Sequence, residues 1–282
     1  MFEPVIKWSG SKRSQAESII SFFPKSIETY YEPFCGGASV MRRLLSSDIR
    51  VKHYVCSDIN QGLIDLWNCI KYRPYDILEH YTRLWNELNS KKDLEEKKEY
   101  YYSIRERYNK IHDPLDFMFI MRTVTNGMPR YNSDGDFNNS FHVTRCGIVP
   151  DGLRDILIEW NGVLNDKNVE FICCPYSNIN PNPDDFVYLD PPYAKTKGMY
   201  YGAIDCDALW KWMSGLNCAY ALSFDGVSGD DDNTYEVPQH LYDSHEYLQS
   251  GNSSFNRLFV GKKDSVVYES LYLKGCKKKT LF

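Results

Sequence analysis

Apolar and polar positions along this chain change their period several times, and each change marks an element. Tyr30–Glu32 is a strand-like stretch that runs into Pro33-Phe34-Cys35-Gly36-Gly37-Ala38-Ser39. Val40, Met41, Leu44 and Leu45 then recur at helical spacing, and Val51–Ser57 reads as a second strand ending in Asp58-Ile59-Asn60. From Leu63 the pattern becomes helical for a long stretch. Leu63, Ile64, Leu66, Trp67 and Ile70 share one face. Pro74 opens a second helix as a first-turn proline, with Ile77, Leu78, Tyr81, Leu84, Trp85 and Leu88 on its apolar side. Lys91–Lys110 is charged and tyrosine-rich, an amphipathic exposed helix, and Pro114–Thr125 is apolar enough to be a buried one. Asn126–Pro150 is broken by Gly127, Pro129, Gly135 and Gly147, with a hairpin signal around Ser133-Asp134-Gly135-Asp136.

Strand–helix alternation returns after Asp151. Leu153–Trp160 predicts a helix, Val169–Cys174 a strand, Phe186–Asp190 a second strand, Asp205–Met213 a helix, and Cys218–Phe224 a strand. Residues 255–260 and 266–273 predict a terminal antiparallel pair. The expected fold class is therefore α/β, a three-layer sheet built from residues 1–62 and 151–282, interrupted by a helical and hairpin insert over 63–150. Ligands of such sheets bind at the carboxyl ends of the strands, where Phe34–Ala38, Asp58 and Asp190 all fall.

Composition narrows the classes. Hydrophobic residues make up 43% and aromatics 15%, as in a globular protein, and no run of 18 apolar residues offers a membrane span. Met1-Phe2-Glu3-Pro4 has no signal-peptide pattern, and nine scattered cysteines without zinc spacing predict reduced thiols, a cytoplasmic setting and no metal. The net charge of −5 argues against a globally basic nucleic-acid binder. Cations are nonetheless concentrated locally, at Arg105, Arg107, Lys110, Arg122, Arg130 and Arg145, with Lys262, Lys263 and Lys277–Lys279 later. Asp230-Asp231-Asp232 reads as a solvated loop.

The chemistry concentrates at Asp190-Pro191-Pro192-Tyr193. Two prolines fix φ and remove two donors, which frees nearby carbonyls. A carboxylate, a free carbonyl and an aromatic ring suit a flat ring bearing an exocyclic amine: the oxygens accept its two N–H bonds and Tyr193 stacks on its face. The glycine turn, with an acid about 20 residues on at the tip of the next strand, suits a ribose-bearing ligand. A Walker lysine motif and a complete Gly-x-Gly-x-x-Gly are both missing, so phosphates are not favoured.

Lys7-Trp8-Ser9-Gly10-Ser11-Lys12, Glu32–Ser39, Ser57-Asp58-Ile59-Asn60 and Asp190-Pro191-Pro192-Tyr193, in that order, resemble the Dam-type DNA N6-adenine methyltransferases (D12 class, alpha group). Phe255-Asn256-Arg257 and Glu269-Ser270-Leu271-Tyr272 are similar to the same group, while Ala38 stands where the family often has Gly. The resemblance implies a Rossmann-like, S-adenosylmethionine-dependent methyltransferase sheet carrying a target-recognition insert. It implies S-adenosylmethionine held by Trp8, Lys12, Glu32, Phe34, Gly36, Gly37, Asp58 and Asp190, and a flipped-out adenine in duplex DNA held by Asp190, Pro191, Pro192 and Tyr193. Arg130, Tyr131, Asn132 and Arg145 are the expected DNA contacts. The family hairpin runs Arg-Tyr-Asn through Phe-Asn to Pro-Phe-Gly, and here Ser140 replaces its proline and His142 its glycine. Expected partners are duplex DNA and a cognate restriction endonuclease, with a monomer sufficing for both binding tasks; the setting is a bacterium, or the host cell of a virus. Methylation of RNA adenine N6 or of DNA cytosine N4, and a catalytically silent DNA-binding relative, stay open as alternatives, although cytosine N4 enzymes typically carry Ser where Asp190 stands.

Overall fold

A computed structural model describes residues 3–192, 204–228, 231–232, 236–250 and 267–276. The chain divides into two compact units: residues 1–11, 58–173 and 198–202 form the first, and 12–57, 174–197 and 203–282 the second.

The second unit is built on a sheet. Its strands are β1 (Ser26–Glu32), β2 (Arg50–Asp58), β4 (Phe186–Leu189), β5 (Ala219–Ser228), β7 (Ser244–Ser250) and β8 (Val267–Lys274); β3 (Val169–Cys173) belongs to the first unit. The order across the sheet is β2-β1-β4-β5-β8-β7, and a two-residue β6 (Asp231–Asp232) pairs off β5. β2, β1, β4 and β5 are parallel neighbours; β8 runs antiparallel between β5 and β7. All four residues of β4 are buried, as expected for a central strand covered on both faces. Leu209, Trp210 and Met213 of α8 (Cys206–Ser214) pack with Leu189, Leu222, Phe224 and Tyr272. Two short helices, α1 (Ala16–Ile20) and α2 (Ser39–Leu45), complete this unit. The parallel core with one antiparallel strand inserted near its edge is a Rossmann-like α/β sheet. Chain order reverses at β1, which has β2 on one side and β4 on the other. That switch point lies at the carboxyl ends of β1 and β4, where open sheets of this kind bind ligands.

In the first unit α3 (Gln61–Tyr72), α4 (Pro74–Ser90), α5 (Leu94–Ile111), α6 (Pro114–Thr123) and α7 (Pro150–Asp166) pack together. Their starts are legible: Asn60 caps α3 through Leu63 N, Asp93 caps α5 through Glu96 N, and Pro114 follows the Asp113 cap of α6. Residues 116–123 of α6 are all buried, so this helix is apolar around most of its circumference. Among its buried polar residues, Asp116, 1% exposed, accepts from Arg107 Nε and Nη2 at 2.6 and 2.5 Å and lies 2.7 Å from His80 Nε2. Trp67 of α3 stacks on Phe171 of β3, with ring centroids 4.8 Å apart.

The last antiparallel pair differs from the sequence reading. β8 forms over 267–274 with β5 and β7 as its described partners, and the Ser-His-Glu-Tyr-Leu-Gln-Ser pattern of β7 carries little apolar signal. Residues 255–260, read as the partner, lie outside the described residues, as do Lys262, Lys263 and Lys277–Lys279.

Candidate active site

Glu32 is the last residue of β1 and 3% exposed. Its Oε2 accepts from Tyr30 Oη at 2.7 Å and from the backbone N–H of Met41 at 3.0 Å. Burial raises its pKa from 4.5 to about 8, opposed by those two hydrogen bonds and assisted by the nearby negative charge of Asp190. The carboxyl group thus sits on the first turn of α2, where a dinucleotide fold would place pyrophosphate. A phosphate is thereby disfavoured at this helix start.

Between β1 and α2 the chain turns tightly. Cys35 N–H reaches Ser57 O at 3.0 Å and Ala38 N–H reaches Cys35 O at 2.6 Å. Gly36 and Ala38 both have positive φ, 44° and 48°. For Gly36 this is free of steric cost, whereas for Ala38 it is strained. The position where the resembling family often carries glycine is thus one at which the backbone asks for it. Phe34 leads into this turn, half-buried, with its ring 5.4 Å from that of Tyr176, and Tyr176 in turn lies 5.3 Å from Trp212. Tyr176 and Trp212 were not singled out in the sequence; the available signal was an aromatic soon after the strand ending at Cys173.

Asp190 follows β4 directly. Its Oδ1 lies 2.7 Å from Lys12 Nζ, and Lys12 Nζ is 3.5 Å from Glu269 Oε2 of β8. Lys12 is 4% exposed, and its backbone N–H is held by Ser39 Oγ at 3.0 Å. Burial raises the pKa of Asp190 from 3.8 to about 6; Lys12 opposes this and Glu269 adds to it. The described residues put no donor on Asp190 Oδ2, and no turn or loop hydrogen bond among them ends on the carbonyls of Asp190 or Pro191. Pro191 is buried and Pro192 half-buried, while Tyr193 lies outside the described residues. The crevice end of β4 therefore presents carboxylate and carbonyl oxygens, all acceptors, beside a fixed ammonium.

Trp8 and Asp58 belong to the first unit. Trp8 is half-buried in a segment tied down by Ser9 N–H to Gly127 O at 2.9 Å. Asp58, also half-buried, ends β2 and its Oδ1 accepts from Asn60 N–H at 3.0 Å. The hairpin region forms in the same unit. Tyr131 and Phe137 make an isolated bridge, and Asn132 Oδ1 accepts from the N–H groups of Asp134 and Asp136 at 3.0 and 2.8 Å. Asn132 thus shapes the turn. The Tyr131 hydroxyl accepts from Asn60 Nδ2 at 2.9 Å, and its ring meets Phe137 edge-on. Arg130 and Arg145 are exposed. Three other cations of this region are engaged inside the unit: Arg105 donates to Asn139 O, Arg107 to Asp116, and buried Arg122 to Pro4 O.

The family model for the D12 class of N6 adenine-specific DNA methyltransferases matches residues 8–208. The chain is 31% identical over 207 residues to the Type II methyltransferase M.MjaIII of Methanocaldococcus jannaschii, covering 68% of this chain and 69% of that protein. It is 33% identical over 196 residues to the DNA adenine methylase of Escherichia coli K12, covering 67% of this chain and 64% of that one. Against the Type II methyltransferase M.FokI of Planomicrobium okeanokoites, 28% identity over 199 residues spans 69% of this chain but only 29% of the relative.

Proposed function

The chain belongs to the D12 class of N6 adenine-specific DNA methyltransferases, and from that premise we propose that it transfers a methyl group from S-adenosylmethionine to the N6 of adenine in duplex DNA. The observation that carries the reading is Asp190: among the described residues, one carboxylate oxygen is fixed by Lys12, the other has no donor, and the neighbouring carbonyls have no turn or loop partner. An exocyclic amine offers two N–H donors, and this pair of acceptors matches them.

The residues around the glycine turn fit the cofactor. Phe34 and Tyr176 supply flat apolar surface for an adenine ring. Gly36 lets the backbone approach closely. The occupied start of α2 suits a cofactor with ribose and no phosphate. Asp58 ends the strand after the turn, where an acid can take ribose hydroxyls. When bound, the cofactor supplies an electrophilic methyl on a sulfonium. Glu32 acts through the fold, holding β1 to α2, and so places the turn that Gly36 and Gly37 form.

The adenine N6 lone pair is delocalised into the ring and nucleophilically poor. Asp190 Oδ2 accepting one N6–H and the Pro191 carbonyl the other favour a more tetrahedral nitrogen, with its lone pair directed at the methyl. Asp190 orients and stabilises; as the N6–methyl bond forms, the sulfur–methyl bond of the cofactor would break to leave a neutral thioether, and the N6 proton, acidic only then, would pass to the Asp190 carboxylate. Positioning of this kind supplies a large part of the rate gain. The adenine leaves the helix first, at a cost of a few kcal/mol, and stacking on Tyr193 offsets about 1–3 kcal/mol of it. Arg130 and Arg145, both exposed, are the cations for backbone or base contacts, and Arg130 leads into the hairpin shaped by Asn132.

The test is transfer of tritium from labelled S-adenosylmethionine to duplex DNA, single-stranded DNA and RNA. Label in duplex DNA supports the proposal. Label on RNA alone, or on none of the three, rejects it.

A further inference from the structure

We propose that Glu269 is a positioning residue for methyl transfer: a second carboxylate that fixes the Lys12 ammonium, so that one Asp190 oxygen is tied and the other is presented to the substrate. The inference rests on the reading of Asp190 given above. Nothing in the chemistry of an amine acceptor site requires a second acid near Asp190, and the fold supplies one from a different strand.

Glu269 sits on β8, opposite Gly226 of β5 and Leu248 of β7. The β5–β8 register shifts between Phe224 and Gly226, at an irregularity directly beside the Glu269 pairing. Such a shift re-aims a side chain. The ammonium of Lys12 lies 2.7 Å from Asp190 Oδ1 and 3.5 Å from Glu269 Oε2, and the three side chains are 5%, 18% and 21% exposed. A half-buried ion pair of one lysine and one acid is neutral. The second acid leaves the cluster with one net negative charge, which works against ionisation of Asp190. The price in Asp190 acidity is accepted in exchange for a lysine held from two strands.

Among the described residues, the groups facing Asp190 from each packed element are Lys12 ahead of α1, Glu32 on β1, Tyr188 on β4 with its hydroxyl on Ser223 of β5, and Glu269 on β8. Burial raises the Tyr188 hydroxyl well above its ordinary range and Glu32 rises to about 8, so the ion-pair partners left beside Asp190 among the described residues are Lys12 and, through it, Glu269. Removing the Glu269 charge therefore makes Asp190 more acidic.

The experiment uses the full chain with Glu269→Gln, which keeps shape and removes charge, and Glu269→Asp, which keeps charge and shortens reach. The carboxyl carbon of Asp190 is followed by NMR against pH in 13C-aspartate-labelled protein, assigned with Asp190→Asn. In Glu269→Gln the Asp190 midpoint falls by a few tenths of a unit to about one unit. In Glu269→Asp it stays within a few tenths of the wild type. Where wild type transfers methyl groups, the acid limb of kcat moves down in Glu269→Gln by the same interval, and kcat of Glu269→Asp falls several-fold with the limb in place. An Asp190 midpoint identical in wild type and Glu269→Gln overturns the proposal. Because the titration needs no turnover, an inactive wild type rejects the methyltransferase reading separately. A variant with altered far-ultraviolet circular dichroism is replaced by Glu269→Met, for which the same fall in midpoint is expected and its absence is equally fatal.

Discussion

Replacing Glu32 by Gln should flatten the pH dependence of stability. In the folded chain Glu32 is 3% exposed and its pKa is raised from 4.5 to about 8, chiefly by burial. A carboxyl group whose folded pKa is raised contributes its stability at pH below 4.5 and loses it as pH rises toward 8. In that window the unfolded chain releases a proton that the folded chain keeps. Each pH unit in the window costs about 1.4 kcal/mol. Between pH 6 and pH 8 the loss assignable to Glu32 is therefore on the order of 2 kcal/mol. Asp190 is raised only to about 6, so most of its own contribution has gone before this interval begins. Gln keeps an oxygen for the Tyr30 hydroxyl and the Met41 N–H, and it does not titrate. Urea unfolding of both proteins at pH 6, 7 and 8 reads the difference, with the other groups cancelling in the comparison. The wild type should lose about 2 kcal/mol more than Glu32→Gln across that range. Parallel pH profiles for the two would refute the assignment of a protonated Glu32 at neutral pH.

Ala38→Gly should stabilise the fold by about 0.5–1 kcal/mol, because relief of the left-handed strain at φ 48° exceeds the entropy glycine adds to the unfolded chain; chemical denaturation checks it, and a loss of stability contradicts it. Gly147→Ala should cost about 2–4 kcal/mol, since φ is 90° and the new Cβ would lie 2.5 Å from the Tyr81 hydroxyl, which itself bridges Ile148 N–H and O; a melting temperature unchanged from wild type would count against this. Lys12→Met should raise the Asp190 midpoint above about 6 and move the acid limb of activity to higher pH, the opposite sense to Glu269→Gln. Asp116→Asn should destabilise by about 3 kcal/mol, because Arg107 and His80 lose the buried acid they share; thermal unfolding reads it.

The elements that carry strong periodicity were legible in the sequence. α3, α4 and α6 follow from apolar spacing, α4 also from its first-turn Pro74, and β4 from four apolar residues ahead of Asp190 and a double proline. The glycine turn was legible as a turn, and its strain at Ala38 was not, because a departure from glycine is visible only once φ is known. β7 was missed since an edge strand of mixed polar residues has no alternation to read. The Lys12–Asp190–Glu269 cluster was illegible for a different reason: its members are separated by most of the chain and meet only through the β8 register. Residue type alone does not say that Asn132 Oδ1 holds the hairpin turn or that the Tyr131 hydroxyl meets Asn60, and neither contact bears on whether these residues touch DNA.

The most direct test of the account is nucleoside analysis by mass spectrometry of duplex DNA incubated with S-adenosylmethionine and either wild type or Asp190→Ala. N6-methyladenine should appear with the wild type and vanish with the variant, while the variant still binds the cofactor in calorimetry. Methyl groups found on cytosine, or N6-methyladenine formed at the wild-type rate by Asp190→Ala, would contradict it.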